Sequence, residues 1–361
     1  MSKTYKTCKK ELKKAMKKLA IILVSLVAAL PAFSGNPDRA GAAGADQLLI
    51  TPWTRTLGLQ ASNVASAIGA ESIFTNVAGL ALIGKTDLLF STTDYLQSAD
   101  ITVASLALGQ RVGESSVIGI TVTSMDFGDI DITTTDNPEG GIGTFAPNMT
   151  NVGVSYAKAF SNSIYGGITF RYFQESIANV SGSGLAFDAG IRYITGPRDN
   201  IRIGIALKNV GPAYDYGGDA LAVENNDPSG NPRTFFERTS GAELPALISI
   251  GAAYDFQLAE KHMLTANGSF ISNSFSTDDF VLGLEYSFNN RFQIRGSYLS
   301  ERKGNDLESN FDRINASTGL AAGASITVPM NKDGGFLSID YGYKVTEPFG
   351  GIQSIGLNLS L

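Results

Sequence analysis

From residue 86 onward the chain alternates between apolar and small or polar residues. In "IRIGIALK", Ile201, Ile203, Ile205 and Leu207 share one set of positions, and Arg202, Gly204, Ala206 and Lys208 share the other. "FLSIDYGYKV" sets Leu337, Ile339, Tyr341, Tyr343 and Val345 against Ser338, Asp340, Gly342 and Lys344. "FVLGLEYSF" sets Phe280, Leu282, Leu284, Tyr286 and Phe288 against Gly283, Glu285 and Ser287. Successive side chains of a strand point to opposite faces, so each segment has one apolar face and one small or polar face. The period predicts 14 strands, at 86–95, 101–110, 115–125, 149–160, 163–176, 184–194, 201–210, 246–258, 262–273, 279–289, 291–300, 315–329, 335–346 and 352–361. Most have about ten residues, the length a tilted strand needs to cross a bilayer.

The connections carry a second signal. Short turns ("RVGE", "SN", "TGPRDN", "LAEK", "N", "NKDGG") follow the even strands, and longer connections (126–148, 211–245, 274–278, 301–314, 347–351) follow the odd ones. Outer-membrane barrels show this asymmetry, with short periplasmic turns and long external loops. A soluble sandwich or propeller also alternates but gives no reason for two length classes. The fold expected is all-β, a 14-stranded antiparallel transmembrane barrel with its apolar face to lipid. An even strand count puts both barrel ends on the periplasmic side. Tyr95, Phe160, Tyr165, Phe173, Tyr193, Phe256, Phe288, Phe292, Tyr298 and Tyr343 fall near strand ends, as interface girdles would.

The start of the chain reads as an export signal. Residues 1–18 hold eight lysines and one glutamate, residues 19–30 are uninterrupted apolar and small residues, and Ala32 and Ser34 stand at cleavage-site spacing. The organisation expected is a signal peptide at 1–34, a plug or hatch segment at 35–85 and a barrel at 86–361. Taking the signal from the chain's 28 basic and 34 acidic residues leaves 20 and 33, a net charge of −13. That balance argues against nucleic acid as a partner. The one cysteine, Cys8, lies in the signal, so the mature chain has no disulfide.

Residues 61–82, "ASNVASAIGAESIFTNVAGLAL", are rich in small residues and do not alternate. A barrel this wide needs its lumen filled, and 35–85 is the candidate plug, entering from the periplasmic side. The wider stretch "RTLGLQASNVASAIGAESIFTNVAGLAL" resembles the N-terminal signature of the PorV/PorQ family, within the larger class of barrels resembling the fatty-acid transporter FadL. The matching positions are Arg55, Gly58, Ala61, Glu71, Asn76, Ala78, Gly79 and Leu80, and "LKNVGPAYDY" and "ELPALISIGAAY" follow in the family's order. Val77 stands where that family usually has proline, and Thr75 where an aromatic is common. Proline would fix the backbone and remove a donor, so valine leaves this turn less constrained. The resemblance implies an outer-membrane component of the type IX secretion and surface-attachment machinery, binding a translocon barrel or cargo C-terminal domains. The broader FadL-like resemblance implies the alternative, a transporter of hydrophobic small molecules.

No catalytic constellation assembles, so no enzyme is expected, and no cofactor. His262 reads as an exposed turn histidine. Asp126, Asp129, Asp131 and Asp136 do not have the spacing of a standard calcium loop. Arg202, Lys208, Glu285, Arg295, Asp340 and Lys344 fall on the inward face, where mixed signs suggest ion pairs that brace the wall and hold the plug. In the longest loop, Tyr214, Tyr216, Phe235 and Phe236 stand among polar residues beside Arg233 and Arg238, around a middle, "ENNDPSGNP", of disordered composition. Aromatics and arginines dominate protein-binding hot spots, so this loop is the candidate partner-binding surface; packing of its aromatics on the barrel rim is the alternative.

Overall fold

The computed structural model describes residues 35–96, 99–302, 316–330, 335–347 and 350–361. The signal-peptide reading of 1–34 lies outside these residues, as does most of the 301–314 connection. Among the described residues, 14 long strands form one antiparallel sheet. They are β1 (Thr86–Leu96), β2 (Ile101–Arg111), β3 (Ser116–Asp126), β4 (Asn148–Ala159), β5 (Ile164–Ile177), β6 (Val180–Thr195) and β7 (Ile201–Val210). The second half comprises β8 (Leu247–Ala259), β9 (His262–Asn273), β10 (Asp278–Phe288), β11 (Phe292–Arg302), β12 (Gly319–Pro329), β13 (Phe336–Lys344) and β14 (Ile352–Ser360). Each strand pairs with its sequence neighbours, and β14 returns to β1, from Asp87↔Ser360 to Asp94↔Gln353. The sheet therefore closes. Its one further member is the two-residue strand Tyr216–Gly217, paired with Gly182 and Ser181 beside the outer end of β6.

The faces follow the alternation. Ile203, Ile205, Leu282, Leu284, Ile355 and Leu357 are exposed, whereas Gly204, Ala206, Gly283, Glu285, Ser354 and Gly356 between them are buried. A closed wall with an outward apolar band satisfies every ladder hydrogen bond without water and meets hydrocarbon with apolar side chains. This is an outer-membrane barrel. By the same rule the short turns mark its periplasmic end and the long loops its outer end.

Three expectations about the wall change. The sixth strand, expected to start at 184, starts at Val180: β5 and β6 continue the ladder to Ile177↔Val180 and turn on Ala178 and Asn179, with Ala178 at φ 47°. "VSGSG" after the turn has no second apolar residue, so alternation could not reveal that it is strand. Tyr95, Tyr165 and Phe173 do not belong to a lipid girdle, because they share the parity of the inward residues of β1 and β5; Phe173 is fully buried. His262 is not a bare turn residue: its Nδ1 lies 2.6 Å from the Tyr286 hydroxyl, and its ring packs on Phe288 with centroids 4.9 Å apart.

Residues 35–85 run through the lumen as short helical turns. These are the 3-10 turns Pro37–Arg39 and Asp46–Leu49, helix α1 (Thr54–Leu59), the 3-10 turn Ser62–Ala65, helix α2 (Ser72–Thr75) and the 3-10 turn Val77–Leu82. α1 packs on β11–β14, Ser62–Ala65 on β7–β9, and Val77–Leu82 on β3–β6, so the segment touches the wall nearly all round. Its direction reverses the expectation of entry from the periplasmic side. Asn36 N donates to Asn273 O at the outer end of β9, and Gly44 N donates to Glu243 O in the longest loop. At the other end Lys85 N and Thr86 N donate to Leu361 O, 2.8 and 3.0 Å away, at the short-turn end. The segment thus starts at the outer mouth, descends the lumen and enters β1 from below.

Candidate functional site: the luminal segment and its seat

The motif residues line the segment's contacts with the wall. Asn76 caps the turn Val77–Leu82: its side chain accepts from Ala78 N at 3.2 Å, and its Nδ2 donates to Ile191 O at 3.1 Å. Val77 holds the first helical position, where proline is favoured because its missing N–H is an orphan there anyway. Ala78 and Leu80 are fully buried, the latter clustered with Ile73, Ala81, Ile83, Val117 and Ala157. A Cβ on Gly79 would stand 2.3 Å from Ala67 O, so only glycine fits this chain crossing. Gly58 presses α1 on β12, and its carbonyl accepts from Ser297 Oγ at 3.1 Å.

Four charged side chains are linked on one side of the lumen. Glu285 accepts Nη2 and Nε of Arg55 at 2.5 and 3.1 Å and Nε of Arg295 at 3.0 Å. Arg295 continues to Ser325, Ser325 and Ser338 donate to Asp340, and Arg295 Nη2 lies 3.9 Å from Asp340. One network therefore ties α1 to β10, β11, β12 and β13. The other inward charges do not join it. Arg202 pairs with Asp255 on β8, Lys208 Nζ sits 3.5 Å over the Phe74 ring of α2, and Lys344 donates to Ser317 at 3.0 Å.

Several seat residues were missed by sequence reasoning. Arg171 and Asp188 form a buried pair at 2.7 Å across β5 and β6, and Asp87 Oδ2 accepts Ala70 N at 2.7 Å. Arg111, at the periplasmic end, donates to the carbonyls of Gly84 and Ala81 at 2.6 and 3.1 Å and to that of Ile83. The available signal was parity, since Arg171 in "ITFRYFQE" stands opposite Phe170 and Tyr172. Arg192 is fully buried with Nε and Nη1 unpartnered among the described residues; its Nη2 reaches Val64 O at 3.4 Å.

Glu71 lies inside the segment, accepting from Thr56 Oγ1 at 2.5 Å and Asn63 Nδ2 at 3.3 Å. Burial pushes its carboxyl above the ordinary value of 4.5, against the opposing pull of Arg55. A group with a raised folded-state value stabilises the fold fully below its unfolded value, and the contribution is lost as pH rises through the raised one. Glu71→Gln is therefore expected to flatten this part of the pH dependence. Thermal unfolding of both proteins at about pH 4 and pH 8 checks it: the parent should lose more stability at the higher pH than the variant, and equal losses would refute the assignment.

The longest loop divides into two parts. Tyr214 is buried, edge-on to Phe173 at 4.9 Å, and Tyr214 and Tyr216 donate to Glu175 at 2.9 and 2.5 Å. These two are rim packing, not exposed anchors. Phe235 and Phe236 are 50% and 65% exposed, with Arg233 and Arg238 exposed beside them. The segment read as disordered forms the end of a β-hairpin, Ala222–Asn226 with Pro232–Phe236. Asp227 closes its turn, accepting from Ser229 N and Asn231 N at 2.9 Å each. In the other long loop Asp126, Asp129, Asp131 and Asp136 are exposed. Among the described residues no three His, Cys, Asp or Glu side chains gather to hold a metal ion.

A crevice of about 10 Å³ lies between the segment and β2–β4, lined by Gln47, Ile50, Val103, Thr123, Met125, Met149 and Asn151. It has room for about one water. Residues 62–82 are buried almost without break, with Ile68 exposed.

Solved barrels share this architecture. The toluene transporter TbuX of Ralstonia pickettii matches with a TM-score of 0.50 at 12% identity, over 86% of this chain and 97% of that chain. The chain shares the fold of this transporter barrel. The toluene transporter TodX of Pseudomonas putida matches with a TM-score of 0.50 at 11% identity, over 86% and 96% of the two chains. A mutant of the monoaromatic hydrocarbon channel TodX gives 0.51 at 11% identity, over 85% and 97%. No family model matches the sequence, and no curated protein does. At these identities the likeness is one of fold, and the finer resemblance to PorV/PorQ barrels rests on the motif residues alone.

Proposed function

We propose that this barrel admits small hydrophobic molecules through the outer membrane and that residues 35–85 are its plug. The observation that carries the reading is the seat. The segment meets the wall through side-chain hydrogen bonds, ion pairs and glycine contacts set between three separate apolar clusters, a divided interface of the kind that separates more readily than one continuous apolar core. The wall's own ladder closes without it. The likeness to toluene transporters supports the substrate class, although fold alone does not fix function. Uptake of labelled toluene and of a long-chain fatty acid into a deletion strain, with and without the restored barrel, tests it. Restoration should speed uptake of at least one, and removing residues 61–82 should raise ion conductance in planar bilayers. Unchanged uptake of both solutes would end the transport reading; unchanged conductance would end the plug reading.

A second reading keeps the barrel as an assembly component that holds a translocon barrel or cargo domain. The exposed Phe235 and Phe236 on a projecting hairpin favour it. Phe235→Ala with Phe236→Ala should then leave heat-modifiable folding intact and abolish co-purification of the partner from native membranes.

A further inference from the structure

The outer end of the luminal segment is held by the longest loop. Gly44 N donates to Glu243 O at 2.9 Å, Ala43 and Glu243 form a parallel bridge, and Arg39 pairs with Glu243 at 2.7 Å. Ala45 and Leu48 pack in one cluster with Tyr214, Leu244, Phe173 and Ala186. A Cβ at Gly44 would stand 2.4 Å from the Tyr214 hydroxyl oxygen, so the segment and the loop base meet in contact that admits no side chain.

The two arms of the loop are joined from this base to the tip. Tyr214 and Ala242 exchange backbone bonds of 3.0 and 2.7 Å, Tyr216 N donates to Thr239 Oγ1 at 3.1 Å, and Glu237 N donates to Leu221 O at 2.9 Å. The pairing Ala222↔Phe236 follows directly and runs to Asn226↔Pro232. A displacement of the exposed hairpin is therefore carried to Tyr214 and Glu243, the residues that grip positions 39–48.

We infer that the base of loop 211–246 is an autoinhibitory latch on the luminal segment, released when the outer hairpin is displaced. This rests on the reading of residues 35–85 as a plug and is independent of which solute passes. The latch predicts that fixing the contact keeps the lumen shut and wedging it opens the lumen.

Bridge partners in adjacent strands lie about 4.8 Å apart, within the Cα range a disulfide spans. The test uses Ala43→Cys with Glu243→Cys in a chain also carrying Cys8→Ser, recorded in planar bilayers before and after reduction. Openings should be absent when oxidised and present when reduced. Gly44→Val should raise the open probability about tenfold or more, the factor expected when contacts worth one hydrogen bond to a charged group are lost. If the reduced chain is itself silent, or if Gly44→Val fails to fold, Tyr214→Phe decides. It keeps the ring, removes one donor to Glu175, and should produce openings above the parent level. Equal activity in the oxidised and reduced chains, or a Tyr214→Phe chain no more active than the parent, overturns the latch. Removal of residues 61–82 is the control: a rise in conductance there with no effect of the latch variants refutes the latch and leaves the plug standing.

Discussion

Glu285→Ala is expected to destabilise the folded barrel by about 3–5 kcal/mol, the range for removing one partner of a buried pair. Both carboxylate oxygens are engaged, one by Arg55 and the other by Arg55 and Arg295. The Arg295 side chain is 0% exposed, so it cannot recover hydration once Glu285 is gone. What remains is Ser325 and Asp340, the latter 3.9 Å away, while Arg55 becomes an uncompensated like charge. Arg55→Ala should cost far less, below about 1 kcal/mol, because its side chain is 45% exposed to the lumen and the pair is screened there. Replacing both Glu285 and Arg295 with apolar residues of similar volume should recover much of the loss, since the penalty lies in the unpaired charge. Urea unfolding of the heat-modifiable barrel in lipid gives all three values. Equal costs for Glu285→Ala and Arg55→Ala would show that the network is not organised around the carboxylate.

The wall was legible because one strong rule governs it: a strand between lipid and lumen must alternate, as Ile203, Gly204 and Ile205 do. Where the rule has no apolar residue to act on, as in "VSGSG", the reading stopped early, and the strand there is set by its partner β5. The luminal segment has no such rule. Its small residues announced close packing, and Gly79 beneath Ala67 shows why, but no period records which end of the lumen it enters. Direction is set by contacts such as Gly44 with Glu243, about two hundred residues apart in sequence. Inward parity placed Glu285, Arg295 and Asp340 on one face but could not say that they share bonds while Lys208 covers an aromatic ring instead. The outer loop failed in both directions. Tyr214 reads like a binding anchor, yet it is buried against Phe173. "ENNDPSGNP" reads as disordered, yet the Asp227 side chain caps its turn and the flanking residues pair.

Adding side chains to the wall beneath Asn76 is expected to unseat the luminal segment and leave the barrel closed. A Cβ built on Gly190 would stand 2.2 Å from Asn76 Oδ1; one on Gly204 would stand 2.7 Å from Val64 O and 2.8 Å from Asn76 Nδ2. The obstructing groups are backbone and a side chain already committed to Ala78 N and Ile191 O, so neither can move aside without the turn Val77–Leu82 moving too. Both glycines sit within paired strands, in the ladder of β6 with β7, where valine is a favourable strand residue. Overpacking of this kind costs about 1–3 kcal/mol per site, and it falls on the seated state alone. Gly190→Val with Gly204→Val should therefore raise the unseated population at least tenfold, seen as higher conductance in planar bilayers and greater sensitivity of cells to large antibiotics. Heat-modifiable migration should be unchanged. Asn76→Ala, which removes the cap and leaves the wall alone, should act in the same direction with a cost of about 1 kcal/mol. Gly268→Val is the matched control. Gly268 alternates with the inward Asn267 and Ser269, and its added Cβ meets Leu282 Cδ2 at an ordinary 3.5 Å, so the barrel gains a side chain without touching the segment. If the double variant conducts no more than the Gly268→Val control, the segment does not obstruct the lumen by resting on β6 and β7.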